Sequence, residues 1–472
     1  MFRRTKIVCT LGPASSSAEV IEALIEAGMN VARVNFSHGD LSTHERTIRT
    51  VREVAERLDR PVAILGDLQG PKIRVGVLPE PVVLTPGEVV TFAPEGEHLA
   101  GELPTTYPGL AHDLEPGDVV LLADGLMELI VEGVEGDRAR MRVIHGGTLT
   151  SNKGINLPGV KLSVPSLTEK DERDLHFALQ QELDYVALSF VREPEDVTNL
   201  LGRIPAGSMP VVVKIEKGMA LTNLKPILAV ADAGMVARGD LGVELPFEQV
   251  PLAQKRMIQM CNLMSRPVIT ATQMLESMIE NPRPTRAEAS DVANAIIDGT
   301  DAVMLSAETA SGKFPVEAVK AMVRIAHEIE QSHVIDAGPH YDIAPEPEHG
   351  AFTPTEWAIA AATVEAVRHI EAPLIVTFTH TGFTARVVSS FRPPVPILAL
   401  TDNPRTFRQL ALVWGVIPVR CEEAQSFDEM MACARRAALE HQVAREGDRI
   451  VLTAGLPLHT SRTTNFLRVE VL

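Results

Sequence analysis

The feature that most constrains the fold is a short apolar run that ends in polar residues, repeated eight times along the chain. The runs are too apolar to leave one face in water, so they predict strands that are covered on both sides, as in parallel sheets. We place the eight runs at Thr5 to Leu11, Asn30 to Phe36, Val62 to Leu65, Asp184 to Leu188, Pro210 to Glu216, Gly234 to Asp240, Pro267 to Gln273 and Asp301 to Glu308.

Segments with helical periodicity separate these runs. Strand and helix alternating eight times predict an α/β fold, a closed (β/α)₈ barrel, in preference to a doubly wound open sheet. The clearest helical segments are Ser17 to Ala27, His44 to Leu58, Glu169 to Gln181, Leu252 to Ser265 and Arg286 to Ile297.

In such barrels the chemistry lies where the strands end. Lys214 and Glu216 are two positions apart at one predicted strand end, so they share a face of the strand. An ordinary salt bridge is the structural alternative for this pair. Polar residues also follow the other apolar runs, and this repetition favours a functional site over a salt bridge. Together the strand ends supply Arg33, Asn35, Asp67, Lys214, Glu216, Arg238, Asp240, Thr272, Gln273, Ser306 and Glu308.

This set suits phosphoryl transfer. Glu216 and Asp240 are oxygen ligands of the kind that Mg²⁺ prefers, with Mn²⁺ as an alternative metal. Arg33 and Lys214 supply fixed cations for a phosphate or carboxylate substrate. Thr272, Ser306 and Glu308 add hydroxyl and carboxyl groups that would relay a proton, so enolate chemistry coupled to phosphoryl transfer would use the whole set.

Two further units interrupt and follow the barrel. Residues 71–164 show short strands and tight turns, which predict an inserted β-domain that acts as a lid or is a static insert. We assign 1–70 and 165–343 to the barrel. Residues 344–472 predict an open α/β domain, with strands at Pro373 to Thr379, Pro396 to Leu400, Val416 to Val419 and Arg449 to Leu452.

The loop that follows the first strand of this third unit has hydroxyl groups and a glycine just before a helix. It suits a phosphate, although such loops are also common helix caps. The loop spans Thr377 to Arg386.

The bulk properties exclude several classes of protein. A net charge of -18 without a basic stripe argues against nucleic-acid binding. No apolar stretch is long enough to predict a membrane span, so we expect a cytoplasmic protein. The four cysteines lack the spacing of a zinc site or a disulfide framework and are expected to be buried small hydrophobes; they are Cys9, Cys261, Cys421 and Cys433.

Six strings of residues along the chain carry a resemblance to a known family. They are Thr5 to Ser15, Met29 to Gly39, Met235 to Gly242, Ala271 to Met278, Pro284 to Glu288 and Met304 to Thr309. With these strings the chain resembles the pyruvate kinase family over essentially its whole length. The resemblance implies transfer of the phosphoryl group of phosphoenolpyruvate to ADP, which gives ATP and, after protonation of the enolate, pyruvate. It also implies a homotetramer and an effector site in the last domain.

The resemblance also implies roles for single residues. Lys214 would stabilise the phosphoryl group in flight, Glu216 and Asp240 would bind Mg²⁺, and Arg33 would contact the phosphate. The amides around Ala237, Arg238, Gly239 and Asp240 would hold the carboxylate beside Thr272, with Ser306 and Glu308 in the proton relay. Asn35, His38, Arg74 and Lys153 match nucleotide positions.

The chain departs from the family pattern at Lys72, where potassium-dependent members have a glutamate. The resulting ammonium could replace a monovalent cation, and Leu68 in place of a threonine fits the same change. We therefore expect activity without K⁺, as in the potassium-independent branch, although Asn35, Ser37 and Asp67 still match cation ligands.

The effector loop lacks the lysine and arginine of strong fructose-bisphosphate binders. We expect a monophosphorylated sugar or nucleotide, or no effector, at Thr379, His380, Thr381, Gly382 and Thr384. A catalytically silent sensor of phosphorylated metabolites is the alternative function, but it predicts an eroded catalytic set. A different barrel enzyme acting on phosphoenolpyruvate would need a phosphohistidine domain or a second-substrate motif.

Overall fold

The computed structural model describes residues 2–332, 334–335, 353–422, 426–455 and 463–472. Strands and helices are labelled β1–β21 and α1–α16 in chain order. The predicted boundary at residue 344 lies outside the described residues. No helix in the described ranges has the length and apolarity that crossing a membrane requires.

Eight parallel strands, all within residues 2–332, close into a barrel, which confirms the predicted fold class. Around the closed sheet the order is β1, β16, β15, β14, β13, β12, β3, β2. The strands are β1 Lys6–Thr10, β2 Val31–Asn35, β3 Ala63–Asp67, β12 Tyr185–Leu188, β13 Val211–Ile215, β14 Ala233–Ala237, β15 Val268–Ala271 and β16 Ala302–Leu305.

Helices surround this barrel and cover the outward side chains of the strands. Several start at a capping residue: the Ser17 hydroxyl accepts the Val20 N–H at the start of α1, and Thr285 forms a capping box with Glu288 at α10. The helices are α1 Ala18–Ala27, α2 Leu41–Arg57, α4 Glu169–Gln180, α5 Pro194–Leu201, α6 Gly218–Thr222, α7 Leu224–Val230, α8 Arg238–Glu244, α9 Val250–Leu263, α10 Arg286–Ile297, α11 Ala307–Ala310 and α12 Pro315–Gln331.

The insert between β3 and β12 is a separate β structure with its own apolar core. It contains a six-stranded sheet, a two-stranded sheet and one short helix, α3 Leu110–Asp113. Its strands are β4 Val82–Leu84, β5 Val89–Pro94, β6 Leu103–Thr105, β7 Val119–Leu122, β8 Met127–Glu135, β9 Arg138–His145, β10 Gly147–Leu149 and β11 Ile155–Asn156.

Both connections to the insert have defined geometry. In the first, Gly70 has φ +68°, and an added Cβ would lie 2.8 Å from the Phe190 ring, so a larger residue would not fit there. In the second, Arg192 donates to the carbonyls of Leu162 and Val164 at 2.8 and 3.2 Å. The returning chain is therefore held to the barrel by a side chain that follows β12.

In the third unit, the described residues form a sheet in the order β19, β18, β17, β20, β21. The last strand runs antiparallel to β20 and was not predicted. The strands are β17 Ile375–Phe378, β18 Ile397–Thr401, β19 Val416–Arg420, β20 Arg449–Ala454 and β21 Phe466–Val471, and the helices are α13 Pro354–Ile370, α14 Phe383–Ser390, α15 Pro404–Gln409 and α16 Phe427–Glu440.

The third unit closes the end of the barrel that lies opposite the carboxyl ends of the strands. Its 3-10 helix Leu410–Leu412 places Ala411 and Leu412, each 1% exposed, in the apolar cluster of the barrel interior beside Val8 and Met235. These two residues form the floor of the barrel.

One sequence prediction about the cysteines was wrong. Cys9 and Cys261 are buried free thiols, as expected, but Cys421 and Cys433 form a disulfide. Cys421 follows β19, and Cys433 lies on α16, which packs onto the same sheet. The contact depends on this packing and not on any sequence motif.

Candidate active site

The site begins with a group of four charged side chains at the carboxyl ends of β2, β3 and β13. The Lys214 ammonium lies 2.8 Å from Glu216 Oε1 and 3.4 Å from Asp67 Oδ1. Arg33 Nε lies 2.7 Å from Asp67 Oδ2. The sequence pattern therefore correctly placed these residues together, and we call them the charge cluster.

Arg33, Asp67 and Glu216 are buried and Lys214 is largely buried, and this decides the electrostatics of the charge cluster. Burial lowers the pKa of Lys214, but the carboxylates of Asp67 and Glu216 outweigh it and the net shift is upward. Burial raises the pKa of Asp67, yet Lys214 and Arg33 reverse the shift and lower it. Lys214 and Asp67 are therefore charged at neutral pH.

Glu216 is the exception. Burial raises its pKa, Lys214 opposes this, Asp240 adds to it, and the result is a pKa of about 7. Oε2 accepts the Phe190 N–H at 2.8 Å, whereas the buried Oε1 faces the Lys214 ammonium at 2.8 Å and has no further partner among the described residues. A cation bound at this oxygen would satisfy it and favour the carboxylate.

Asp240 differs from its prediction. It was placed at the end of a strand running from Gly234, but β14 stops at Ala237 and Asp240 lies in the first turn of α8. A carboxylate is stabilised there by the positive end of the helix dipole. Its charge still acts on Glu216, and within the described residues no group of three or more His, Cys, Asp or Glu forms a metal cluster. Two carboxylates with substrate or water oxygens fit Mg²⁺.

Thr272 and Gln273 were also predicted to continue a strand, but β15 ends at Ala271. Both have positive φ, 69° and 52°, and for a β-branched threonine this is a strained conformation. The Thr272 hydroxyl accepts the Gly239 N–H at 2.8 Å, and its carbonyl accepts from Arg238 at 2.6 Å. These contacts fix Thr272 against the turn that carries Asp240.

Ser306 and Glu308 follow β16 but differ in their surroundings. The buried Glu308 carboxylate accepts the N–H groups of Ser306 and Leu275 at 2.7 and 3.1 Å, so it holds the local backbone. The Ser306 hydroxyl is buried and has no hydrogen-bond partner among the described residues. Of Ser306 and Glu308, Ser306 is therefore the residue whose side-chain oxygen is available to a substrate or a water molecule.

Ser189 was missed as a site residue. Its hydroxyl accepts from Lys214 at 2.8 Å and donates to the Leu68 carbonyl at 2.7 Å, which links the lysine to the end of β3. Its position directly after the apolar run that forms β12 was the available signal.

The predicted nucleotide residues lie outside the charge cluster. Asn35 ends β2 and accepts the Ser37 N–H at 3.1 Å, while His38 is exposed beyond it. Arg74 lies on the insert, bridged to Gly154 and donating to the Asn152 carbonyl at 2.8 Å. Lys153 is exposed on the adjacent segment.

A narrow cleft separates the insert from the barrel mouth, and Lys72 lines it together with Phe190 and Asp240. Lys72 is exposed, and within the described part of the chain no ion pair or hydrogen bond joins its side chain to Asn35, Ser37 or Asp67. The Leu68 side chain is buried.

Comparison with known proteins decides the family. The family model described as pyruvate kinase, barrel domain, matches residues 2–319, and the one described as pyruvate kinase, alpha/beta domain, matches residues 357–470. The chain belongs to the pyruvate kinase family. The fold and the pyruvate kinase function predicted from the sequence are confirmed, as is the assignment to the phosphotransferases.

Named relatives cover the whole chain. Pyruvate kinase 2 of Synechocystis sp. is 48% identical over 99% of this chain and 79% of its own length. The pyruvate kinase of Corynebacterium glutamicum is 46% identical over 100% of this chain and 98% of its own. A solved pyruvate kinase structure from Cryptosporidium parvum is 36% identical with a TM-score of 0.90, covering 99% of this chain and 96% of that one.

Proposed function

We propose that this pyruvate kinase transfers the phosphoryl group of phosphoenolpyruvate to ADP through the charge cluster, giving ATP and pyruvate. The observation that carries the assignment of roles is the largely buried Lys214, held by Asp67, Glu216 and Ser189 at the barrel mouth. A fixed ammonium in a low-dielectric site stabilises negative charge as it moves between oxygens.

Arg33 would bind the phosphate. Its guanidinium is held by Asp67 on one side and donates to the Thr10 hydroxyl at 2.8 Å on the other, so its direction is fixed before substrate binds. The amides of Ala237, Arg238, Gly239 and Asp240 at the start of α8 would hold the carboxylate.

Glu216 and Asp240 would hold Mg²⁺, or Mn²⁺ in its place. The metal would supply charge neutralisation at the phosphate oxygens. Thr272 would lie beside the enolate, and the unpartnered hydroxyl of Ser306 would begin the proton relay, with Glu308 fixing its backbone.

The test of these roles is a coupled assay of pyruvate formation from phosphoenolpyruvate and ADP. We expect Lys214→Met to lower kcat by about a thousandfold, since one fixed charge at the transition state contributes several kcal/mol. The control is Lys217→Met, which loses a neighbouring buried lysine that pairs with Glu244 instead of the charge cluster. Undiminished turnover in Lys214→Met would refute the assignment.

Asn35, His38, Arg74 and Lys153 would bind the nucleotide and its phosphates. Arg74 and Lys153 lie on the insert, so the insert would act as the lid that brings them towards Arg33. The cleft between the insert and the barrel mouth supports this arrangement. We propose the same domain limits as the sequence predicts: 1–70 and 165–343 for the barrel, 71–164 for the insert and 344–472 for the third unit.

Independence from K⁺ is proposed on Lys72. Its side chain has no ion-pair partner in the described ranges and lines the cleft, so it is available to take the place of a monovalent cation near Asn35, Ser37, Asp67 and Leu68 when the lid closes. We expect full activity in tetramethylammonium buffer and activation by K⁺ only in Lys72→Glu. Strong activation of the unmodified enzyme by K⁺ would contradict this.

The loop from Thr379 to Thr384 is proposed to take one phosphate. Gly382 has φ +75°, the Thr384 hydroxyl contacts the Thr464 hydroxyl at 2.8 Å, and His380 lies 2.8 Å from Asp402. The Asp402 charge near the loop disfavours a second phosphate there, which supports a monophosphorylated effector. A homotetramer in the cytoplasm is proposed from the family resemblance.

A further inference from the structure

The segment that follows β2, residues 36–39, is held both by the barrel and by two helices. We call it the β2 loop. Its base belongs to the barrel, because the Phe36 N–H donates to the Asp67 carbonyl at 3.1 Å. The Phe36 ring is buried and packs edge-on against Phe177, with ring centroids 6.0 Å apart. The start of the loop is therefore anchored in the core, while the rest of it depends on further contacts.

Lys170 holds the β2 loop from α4. Its ammonium donates to the Phe36 carbonyl and to the Asp174 carboxylate, both at 2.6 Å. Asp174 is buried, so it orients the ammonium towards the loop instead of leaving it in solvent. An ion pair of i,i+4 spacing on a helix surface contributes little stability by itself. The second contact, to a carbonyl of another segment, gives Lys170 a role beyond its own helix.

His44 holds the β2 loop from α2. Its Nε2 lies 2.9 Å from the His38 carbonyl, and since a carbonyl oxygen only accepts, Nε2 carries the hydrogen and donates it. The ring also packs edge-on against Phe36, with centroids 5.4 Å apart. Gly39 has φ +79°, and a Cβ added there would lie 3.3 Å from the Cε1 of His44. The far end of the loop is therefore shaped around this ring.

Both side chains act on the main chain of the β2 loop and neither belongs to the charge cluster. The carbonyls that they bind, of Phe36 and His38, lie on either side of Ser37. Ser37 and His38, with Asn35 just before the loop, match cation and nucleotide positions of the family. Two helices therefore converge on the segment that presents these groups.

We propose that Lys170 and His44 are positioning residues that hold the β2 loop in the shape that binds ADP. This inference rests on the nucleotide role proposed above for Asn35 and His38. The apparent affinity of a site falls in proportion to the fraction of molecules in which the site is formed. Loss of either contact therefore raises the KM for ADP, while kcat changes little because the charge cluster keeps its own ion pairs.

Steady-state kinetics of the full-length enzyme test this proposal, with ADP and phosphoenolpyruvate varied in turn. In Lys170→Met we expect the KM for ADP to rise about tenfold, the effect of one lost charge-assisted hydrogen bond, while kcat and the KM for phosphoenolpyruvate stay within about twofold. Lys170→Arg should restore most of the affinity. The matched control is Lys320→Met, which removes a lysine of similar exposure that pairs with Glu317 on α12.

Two variants of His44 test its hydrogen bond. His44→Phe keeps an aromatic ring beside Phe36 but has no N–H to donate, so it should raise the KM for ADP as Lys170→Met does. His44→Gln supplies an amide N–H in place of the ring nitrogen and should raise the KM less. Equal values for the two variants would overturn the role of this hydrogen bond.

Hydrogen exchange of the nucleotide-free enzyme separates this proposal from the nucleotide assignment. The N–H groups of Ser37 and His38 donate to the side chain and the carbonyl of Asn35, at 3.1 and 3.3 Å, so their exchange reports the shape of the loop. Exchange should be faster in Lys170→Met, and unchanged exchange would overturn the proposal. Faster exchange with an unchanged KM for ADP would overturn it as well. His38→Ala, measured in parallel, tests the nucleotide assignment itself: a raised KM for ADP supports that assignment, and an unchanged one refutes it.

Discussion

Lys6 gives the sharpest test of the physical reasoning, because a lysine is buried where the barrel meets the third unit. It is 5% exposed, and its ammonium donates to the Val416 carbonyl at 2.7 Å. Burial lowers its pKa to about 7, Arg3 adds to the effect, and the carboxylates of Glu330 and Asp301 only partly oppose it.

The direction of the pH dependence follows from this shift. In the unfolded chain Lys6 keeps its proton up to about pH 10.5, whereas in the folded protein it loses the proton near pH 7. Between these values the unfolded state binds more protons, so stability rises with pH. From pH 7 to 9 the contribution of this group amounts to about 2 kcal/mol, at about 1.4 kcal/mol per pH unit and proton.

The assay is urea unfolding followed by tryptophan fluorescence from pH 6 to 9. The chain has two tryptophans, and Trp357→Phe leaves Trp414, which stacks against Arg4 and Arg392 near Lys6, as the reporter. In that background Lys6→Met should remove the rise above pH 7. Lys320→Met, which removes an exposed lysine on α12, should keep it. Parallel stability profiles for native and Lys6→Met proteins would show that Lys6 stays protonated.

Three other substitutions test the site and the fold. Thr272→Val should lower kcat about tenfold, because it removes the hydrogen bond from the Gly239 N–H to the threonine hydroxyl. Thr272→Ser keeps the hydroxyl and should retain activity. Equal rates for the two variants would contradict the role of the hydroxyl. Glu216→Gln should weaken Mg²⁺ binding about a hundredfold in a titration of EDTA-stripped enzyme, and unchanged affinity would exclude Glu216 as a ligand. Leu412→Ala should cost about 2 to 5 kcal/mol in urea unfolding, whereas Leu99→Ala, at a position 62% exposed, should cost little.

The barrel and most of its rim could be predicted from sequence because both depend on local patterns. An apolar run that ends in polar residues gives the strand and its chemically useful end together, and this placed Lys214, Glu216 and Arg33 correctly. The parallel arrangement then brings residues that are distant in sequence to one edge.

The misplaced features depend on contacts that a local pattern does not carry. Asp240 was assigned to the end of a strand because it closely follows the apolar run, whereas the strand stops at Ala237 and the chain turns there into α8. The left-handed backbone of Thr272 is held by contacts to Gly239 and Arg238. The disulfide between Cys421 and Cys433 likewise needs α16 folded onto its sheet.

The floor of the barrel has a consequence for how the protein is made. The last barrel strand ends at Leu305, yet Ala411 and Leu412, which close the barrel, are translated about 100 residues later. At roughly 5 to 20 residues per second, the nascent barrel would wait on the order of 5 to 20 s with its apolar base uncovered. During that interval it would present a surface for chaperones, and a ribosome that stalled before residue 410 would leave a barrel prone to aggregation.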